Sequence, residues 1–259
     1  MMDAPLITHR DERGVVTLTM NRPDSFNALG EEMLQALQAA FDALGRDASA
    51  RVVVLGAAGK AFCPGHDLRE MTARPELAYY QQLFARCSRL MLAIQKLPVP
   101  VIARVQGVAT AAGCQLVAQC DLAVAAEQAR FAVSGINLGL FCSTPSVPLV
   151  RNMLPKQALE MLLTGEFIDA EEARARGLVN RVVAPEQLDA EVGKLVDSIL
   201  RKPREALAMG KALFHQQREM GVEAAYQLAG QAMAVNMMEA AAQEGVRAFT
   251  EKRKPSWAG

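Results

Sequence analysis

The sequence predicts an α/β core followed by a helical C-terminal region. Short continuous apolar runs alternate with longer segments of helical periodicity as far as residue 183. Turn-forming Gly, Pro and Asn residues separate them. Beyond residue 184 helical pattern dominates and strand signals are few, which divides the chain into an α/β core at residues 1–184 and a helical region at 185–259.

The elements follow in order. Residues 14–20 read as a strand, with Val15, Val16, Leu18 and Met20 among threonines, and Asn21-Arg22-Pro23 ends it. Met33, Leu34, Leu37 and Phe41 fall at helical spacing over residues 31–44. Residues 51–55 form an uninterrupted apolar run, as a strand covered on both faces requires. Residues 56–66 form a Gly/Pro-punctuated loop, and residues 78–97 a second helix stopped by Pro98 and Pro100. Further strands are expected at 99–103 and 122–125. The apolar stretch at 99–126 carries Arg104, Gln106, Gln115, Gln119 and Asp121, so it reads as a buried core segment and not as a membrane span.

Bulk properties exclude several classes. Of the 259 residues 51% are hydrophobic and 22% charged, and 28 basic residues balance 28 acidic ones. A chain without net positive charge lacks the clustered basic surface that nucleic acid rewards. Cys63, Cys87, Cys114, Cys120 and Cys142 are odd in number and form no Cys-x-x-Cys pair, so neither a disulfide framework nor a common zinc site is indicated. Reduced thiols and the lack of an apolar leader in residues 1–14 point to a cytoplasmic protein.

Four ordered stretches carry the chemistry. The first runs from Gly14-Val15 to Asn21-Arg22-Pro23 and Asn27-Ala28-Leu29. The second is Lys60-Ala61-Phe62-Cys63-Pro64-Gly65-His66-Asp67-Leu68. The third joins Pro100-Val101-Ile102-Ala103, Gly107, Ala112-Gly113-Cys114-Gln115 and Cys120-Asp121. The fourth comprises Leu163-Thr164-Gly165, residues 170–175 and Gly177-Leu178-Val179. Two Gly-containing loops each follow an apolar strand, where α/β proteins place ligands. Glycine and small residues there let a ligand approach backbone N–H groups, which can stabilise charge developing on a carbonyl oxygen.

These stretches resemble the crotonase (enoyl-CoA hydratase/isomerase) superfamily over nearly the whole chain. The runs at residues 111–115 and 139–145 and the Lys252-Arg253-Lys254-Pro255 end are similar to its enoyl-CoA hydratase domain-containing protein 3 subgroup. The resemblance implies a spiral of ββα units and a homotrimer or dimer of trimers built through the C-terminal helices. It implies an acyl-CoA thioester ligand of fatty-acid metabolism, with coenzyme A as part of the substrate and no metal or other cofactor. It places two backbone donors, an oxyanion hole, at His66 and Ala112. Coenzyme contacts map to Ser25, Phe26 and Ala28, to Ala61, Gly65, Asp67, Leu68 and Arg69, and to Gly113 and Ser134. Phe249 and Lys252 would complete them, on the same or a neighbouring subunit, although a lone lysine is more often simply solvated.

One departure changes the expected reaction. Hydratases of this family carry a glutamate after the Gly-Cys pair and a second one twenty positions later; here those positions hold Gln115 and Gly135. An amide does not titrate, and glycine offers no side chain. The sequence therefore implies an acyl-CoA lyase, for example a decarboxylase, or an isomerase, with weak or absent hydration. Two alternatives stay open: a hydratase or isomerase borrowing another carboxylate, and a non-catalytic acyl-CoA-binding or partner-binding protein. Restoring both glutamates should return some hydration if the water site survives.

Overall fold

The structure, a computed structural model, describes residues 4–257. Its strands are β1 (Leu6–Arg10), β2 (Val15–Met20), β3 (Val52–Ala57), β4 (Val101–Val105), β5 (Ala109–Thr110), β6 (Leu122–Ala126), β7 (Arg130–Ala132), β8 (Ile168–Asp169) and β9 (Arg181–Val183). The helices of the core are α1 (Glu31–Gly45), α2 (Leu68–Ala73), α3 (Leu77–Lys96), α4 (Ala112–Gln119), α5 (Ser143–Asn152), α6 (Pro155–Thr164) and α7 (Ala170–Ala175). Then come α8 (Leu188–Leu200), α9 (Arg204–Gln217), α10 (Val222–Met238) and α11 (Ala240–Thr250).

Six strands form one sheet in the order β1-β2-β3-β4-β6-β9. β1 runs antiparallel to β2, and every later pair is parallel. A second sheet, β5-β7-β8, stands beside it. This is the expected ββα spiral.

Strand periodicity explains the burial of β3, all of whose residues are buried. Val53 and Leu55 face one side, into a cluster with Leu37, Phe41, Leu90, Ile94 and Leu116 of α1, α3 and α4. Val52 and Val54 face the other side, where Leu188, Val192, Leu195 and Val196 of α8 cover them. A parallel strand between two helical layers has no solvent face, hence its unbroken apolar run.

The C-terminal region thus divides in two. α8 shares a core with the sheet, whereas α9 and α10 contain no buried residue. α9 is tied down by Lys211, whose Nζ donates to the carbonyls of Ile94 (2.9 Å) and Val99 (3.1 Å) and to Asp121 Oδ2 (2.6 Å). α10 leaves Tyr226, Met233 and Met238 more than two-thirds exposed.

β1 falls in the segment that the sequence reading treated only as a polar start. It is an edge strand with four of its five residues exposed, held by backbone pairing to β2. The first three residues of the expected leaderless segment lie outside the described residues. Among the described residues no helix is long and apolar enough to cross a membrane.

Candidate active site

The loop after β3 and the turn into α4 meet at the C-terminal end of the main sheet. Leu29 N–H donates to the Gly65 carbonyl (2.7 Å), Phe62 and Cys63 N–H to Val108 (2.9 and 3.1 Å), and Thr110 N–H to Cys63 (3.0 Å). None of these bonds uses the His66 or Ala112 N–H. Ala112 is the first residue of α4, so its N–H precedes the intrahelical ladder and lies at the positive end of the helix dipole.

Two glycines set how closely the loops approach. A Cβ on Gly113 would lie 2.0 Å from the Cys63 carbonyl oxygen. Gly65 has φ +105°, and a Cβ there would stand 3.1 Å from Ala112 N. Ala111 adopts φ 49°, ψ −122°, a conformation that costs a non-glycine residue about 1–3 kcal/mol. Its N–H is held by the Ala132 carbonyl at 3.0 Å.

A cavity of about 550 Å³ opens over this junction. Ser25, Phe26, Ala28, His66, Asp67, Leu68, Arg69, Ala112, Ser134 and Gly135 all line it, so most residues singled out in the sequence converge. Ala61 and Gly65 lie behind the wall, as does Gly113. The Ala61 carbonyl accepts from Asn27 Nδ2 at 3.0 Å. Asn27 is fully buried with φ 63°; its Nδ2 also donates to Ala58, and its Oδ1 accepts from Arg22 N–H. That side chain pins the loop carrying Ser25, Phe26 and Ala28 to the loop carrying Ala61. The Asn-Ala-Leu motif pointed at this loop but not at the pin.

Three other expectations meet a different geometry. Gln115 is 3% exposed and is not among the residues lining this cavity; its Oε1 accepts a long contact from Cys87 Sγ of α3 at 3.9 Å. Phe249, 84% exposed, and Lys252 lie off the wall of this chain's cavity. At Gly135 the space for a side chain is taken. A Cβ would lie 2.6 Å from the Leu140 carbonyl oxygen and 2.8 Å from Cys142 Sγ. A glutamate restored at residue 135 would meet the main chain at Leu140, and one at residue 115 would start from a buried position beside Cys87.

His66 Nδ1–H donates to the Leu29 carbonyl at 3.3 Å, while its ring packs edge-on against Phe84 at 5.5 Å. Nε2 is buried without a partner among the described residues. Burial pushes the imidazole pKa below 6.5, against the opposing effect of the Leu29 bond, so the ring is neutral near pH 7. Thr110 and Ser134 hydroxyls share a hydrogen bond of 2.9 Å. Burial pushes the thiols of Cys63, Cys87 and Cys114 up to about 12 and raises Cys142, so these cysteines are small buried groups and not nucleophiles. Among the described residues the carboxylates on the cavity wall are Asp24 and Asp67. Asp67 caps α2, accepting from the N–H groups of Arg69 (2.8 Å) and Glu70 (3.4 Å). Met71, Phe84 and Leu138 also line the cavity, and no motif announced them. No group of three or more His, Cys, Asp or Glu among the described residues is placed to hold a metal.

Residues 10–259 match the family model described as enoyl-CoA hydratase/isomerase. The chain belongs to that family. An enoyl-CoA hydratase/isomerase fold extends throughout: a crystal structure described as enoyl-CoA hydratase from Mycobacterium smegmatis is 63% identical, with TM-score 0.98, covering 99% of this chain and all of the other. The human enoyl-CoA hydratase domain-containing protein 3 structure is 42% identical with TM-score 0.94, covering 98% of this chain and all of that one. The Xenopus laevis protein of that name is 43% identical over 99% of this chain and 87% of its own length. The similarity to this subgroup expected from the sequence runs is thereby shown.

These relatives correct one expectation. The Xenopus laevis protein is named mitochondrial, as are its mouse, rat, zebrafish and human counterparts, and this overturns the cytoplasmic assignment. Its basis was too coarse: reduced cysteines report a reducing environment, which does not distinguish one such compartment from another.

Proposed function

We propose that the chain binds an acyl-CoA thioester in the His66–Ala112 cavity and catalyses a lyase reaction that needs no glutamate pair. The observation that carries this reading is the filled space at Gly135, together with the uncharged, buried amide of Gln115. Hydration requires a proton taken from water and one delivered to the α-carbon, and neither position supplies a titrating group.

Decarboxylation of a 2-carboxyacyl thioester has no such need. The bond from the α-carbon to the carboxylate breaks, and its electron pair forms the enolate. The negative charge gathers on the thioester oxygen, which the His66 and Ala112 N–H groups would hold. Carbon dioxide leaves, and water then protonates the α-carbon. The Ser25, Phe26, Ala28 loop and the segment from Ala61 to Arg69 would bind the coenzyme. Phe249 and Lys252 would reach a neighbouring subunit's ligand in a trimer or hexamer assembled through the exposed face of α10.

The test is a panel of acyl-CoAs on the full chain, reading carbon dioxide release, loss of the enoyl chromophore, and binding by calorimetry. Carbon dioxide release from a 2-carboxyacyl-CoA supports the proposal. A second reading, hydration, is favoured by the description of the Mycobacterium smegmatis relative as an enoyl-CoA hydratase. Robust hydration of crotonyl-CoA would replace the lyase reading. Binding without turnover of any member would leave a binding protein.

A further inference from the structure

The peptide joining Gly65 to His66 is one rigid plane, so its carbonyl and its N–H point in opposite directions. Whatever holds the Gly65 carbonyl therefore aims the His66 N–H. Its partner is the Leu29 N–H, at 2.7 Å. The Leu29 carbonyl in turn accepts from His66 Nδ1 at 3.3 Å, and the two residues pair as an isolated parallel bridge. The close approach of Gly113 to Cys63 fixes one side of this loop. Residue 29 holds the other.

Leu29 lies just before α1, and the start of α1 has no cap of its own. The N-cap residue is Gly30, which has no side chain to offer. The acceptor comes from α2 instead: Glu70 Oε2 receives the Glu31 N–H at 2.8 Å. A carboxylate there also meets the positive end of a 15-residue helix. Gly30 is what admits it, since a Cβ at residue 30 would lie 2.6 Å from Glu70 Oε1 and 3.0 Å from its Cδ. α2 has only six residues, too few to be stable as an isolated helix, so its place depends on such ties. Asp67 caps its start, and Tyr80 OH donates to the Met71 carbonyl at 3.1 Å. Residues 29 and 31 on one side and residues 65, 66 and 70 on the other thus close a clamp.

We propose that Glu70 is a positioning residue for the oxyanion hole: by capping α1 it holds Leu29 in place, and through Leu29 it aims the His66 N–H at the bound carbonyl. The proposal rests on the thioester reading above and adds a residue to it. Glu70 is not on the cavity wall, so it acts through the backbone and not by contact with the ligand. A misplacement of about 1 Å at a reacting group can cost about 10²-fold in rate.

The experiment is isotope-edited infrared spectroscopy of butyryl-CoA, labelled with carbon-13 at the thioester carbonyl and bound to the full chain. Hydrogen bonds to that oxygen weaken the C=O bond, so its stretching band should fall below the solution frequency in the parent. Glu70→Ala misaligns one of two donors and should lose about half of that shift. Glu70→Gln keeps an oxygen that can accept from the Glu31 N–H and should retain the parent band. Gly30→Ala is the second perturbation: residue 30 has φ −74° and ψ 174°, which alanine adopts freely, and its Cβ should push the Glu70 carboxylate off the Glu31 N–H. It should lose the shift as Glu70→Ala does, and it carries the test if Glu70→Ala fails to fold by circular dichroism. On any acyl-CoA that the parent turns over, both alanine variants should lower kcat by about 10–100-fold with KM little changed. A parent band in the folded alanine variants would overturn the proposal, and so would a Glu70→Gln as defective as Glu70→Ala. If the parent itself fails to bind butyryl-CoA, or binds it with an unshifted band, the thioester reading falls first.

Discussion

Adding a single methyl group at Gly135 tests the steric account of the missing carboxylate. A Cβ there would approach the Leu140 carbonyl oxygen to 2.6 Å and Cys142 Sγ to 2.8 Å. Ordinary contact is about 3.5–4.0 Å. The obstructing oxygen belongs to the main chain, and its residue is anchored by Leu140 N–H donating to the Gly135 carbonyl at 3.0 Å. It cannot rotate aside as a flexible side chain would. Overpacking of this kind costs about 1–3 kcal/mol. In a chain of this size each kcal/mol lowers Tm by about 2–4 °C, so Gly135→Ala should lower it by roughly 2–12 °C. Gly193→Ala in α8 is the control, because nothing lies within 4 Å of its Cβ and alanine favours a helix by about 0.5–1 kcal/mol. Thermal denaturation of both variants at one pH gives the comparison. An unchanged or raised Tm for Gly135→Ala would show that the backbone at residues 140–142 yields freely, and the steric argument would be refuted. If it stands, Gln115→Glu combined with Gly135→Glu should be less stable than the parent and gain no hydration.

The unmodified protein should hydrate crotonyl-CoA poorly, since each positioned acid or base contributes about 10²–10⁴-fold; a rate typical of hydratases, followed at the enoyl absorbance, would contradict this. Acidification should expose His66. Its folded-state pKa lies below the unfolded 6.5, so its contribution to stability is complete above pH 6.5 and is lost as pH falls through the folded value. The urea midpoint should drop between pH 7.5 and 5.5 by more in the parent than in His66→Gln, with a slope from this group of at most about 1.4 kcal/mol per pH unit; equal drops would remove His66 from the account. Light scattering should find a trimer or hexamer, because α10 exposes Tyr226, Met233 and Met238, and a stable monomer at micromolar concentration would sink that assembly.

The core was legible wherever packing imposes a pattern. β3 read correctly because two helical layers forbid polar residues on either face. β1 did not, because its side chains are largely solvated and only its backbone is engaged. The loops at residues 60–68 and 107–115 were found from their small residues, and the structure joins them in one cavity. What the sequence could not reveal was direction. Gln115 lies one turn from Ala112, yet its amide oxygen is buried against Cys87 of α3. Likewise the glycine at position 135 was legible as a missing carboxylate, but only coordinates show a main-chain oxygen in the space a side chain would need. Met71 and Phe84 belong to no motif and become cavity lining through the placement of α2 and α3.

The contact of Gly113 with the Cys63 carbonyl bears on the speed of ligand capture. Because main chain meets main chain there, the spacing of the His66 and Ala112 dipoles is settled when the chain folds. An arriving thioester would meet donors already aligned, and loop ordering would add little to the entropy of association. The free and occupied loops should then superpose within about 1 Å. Capture would proceed without a slow closing step at these donors, leaving residence time to be governed by the contacts farther along the ligand.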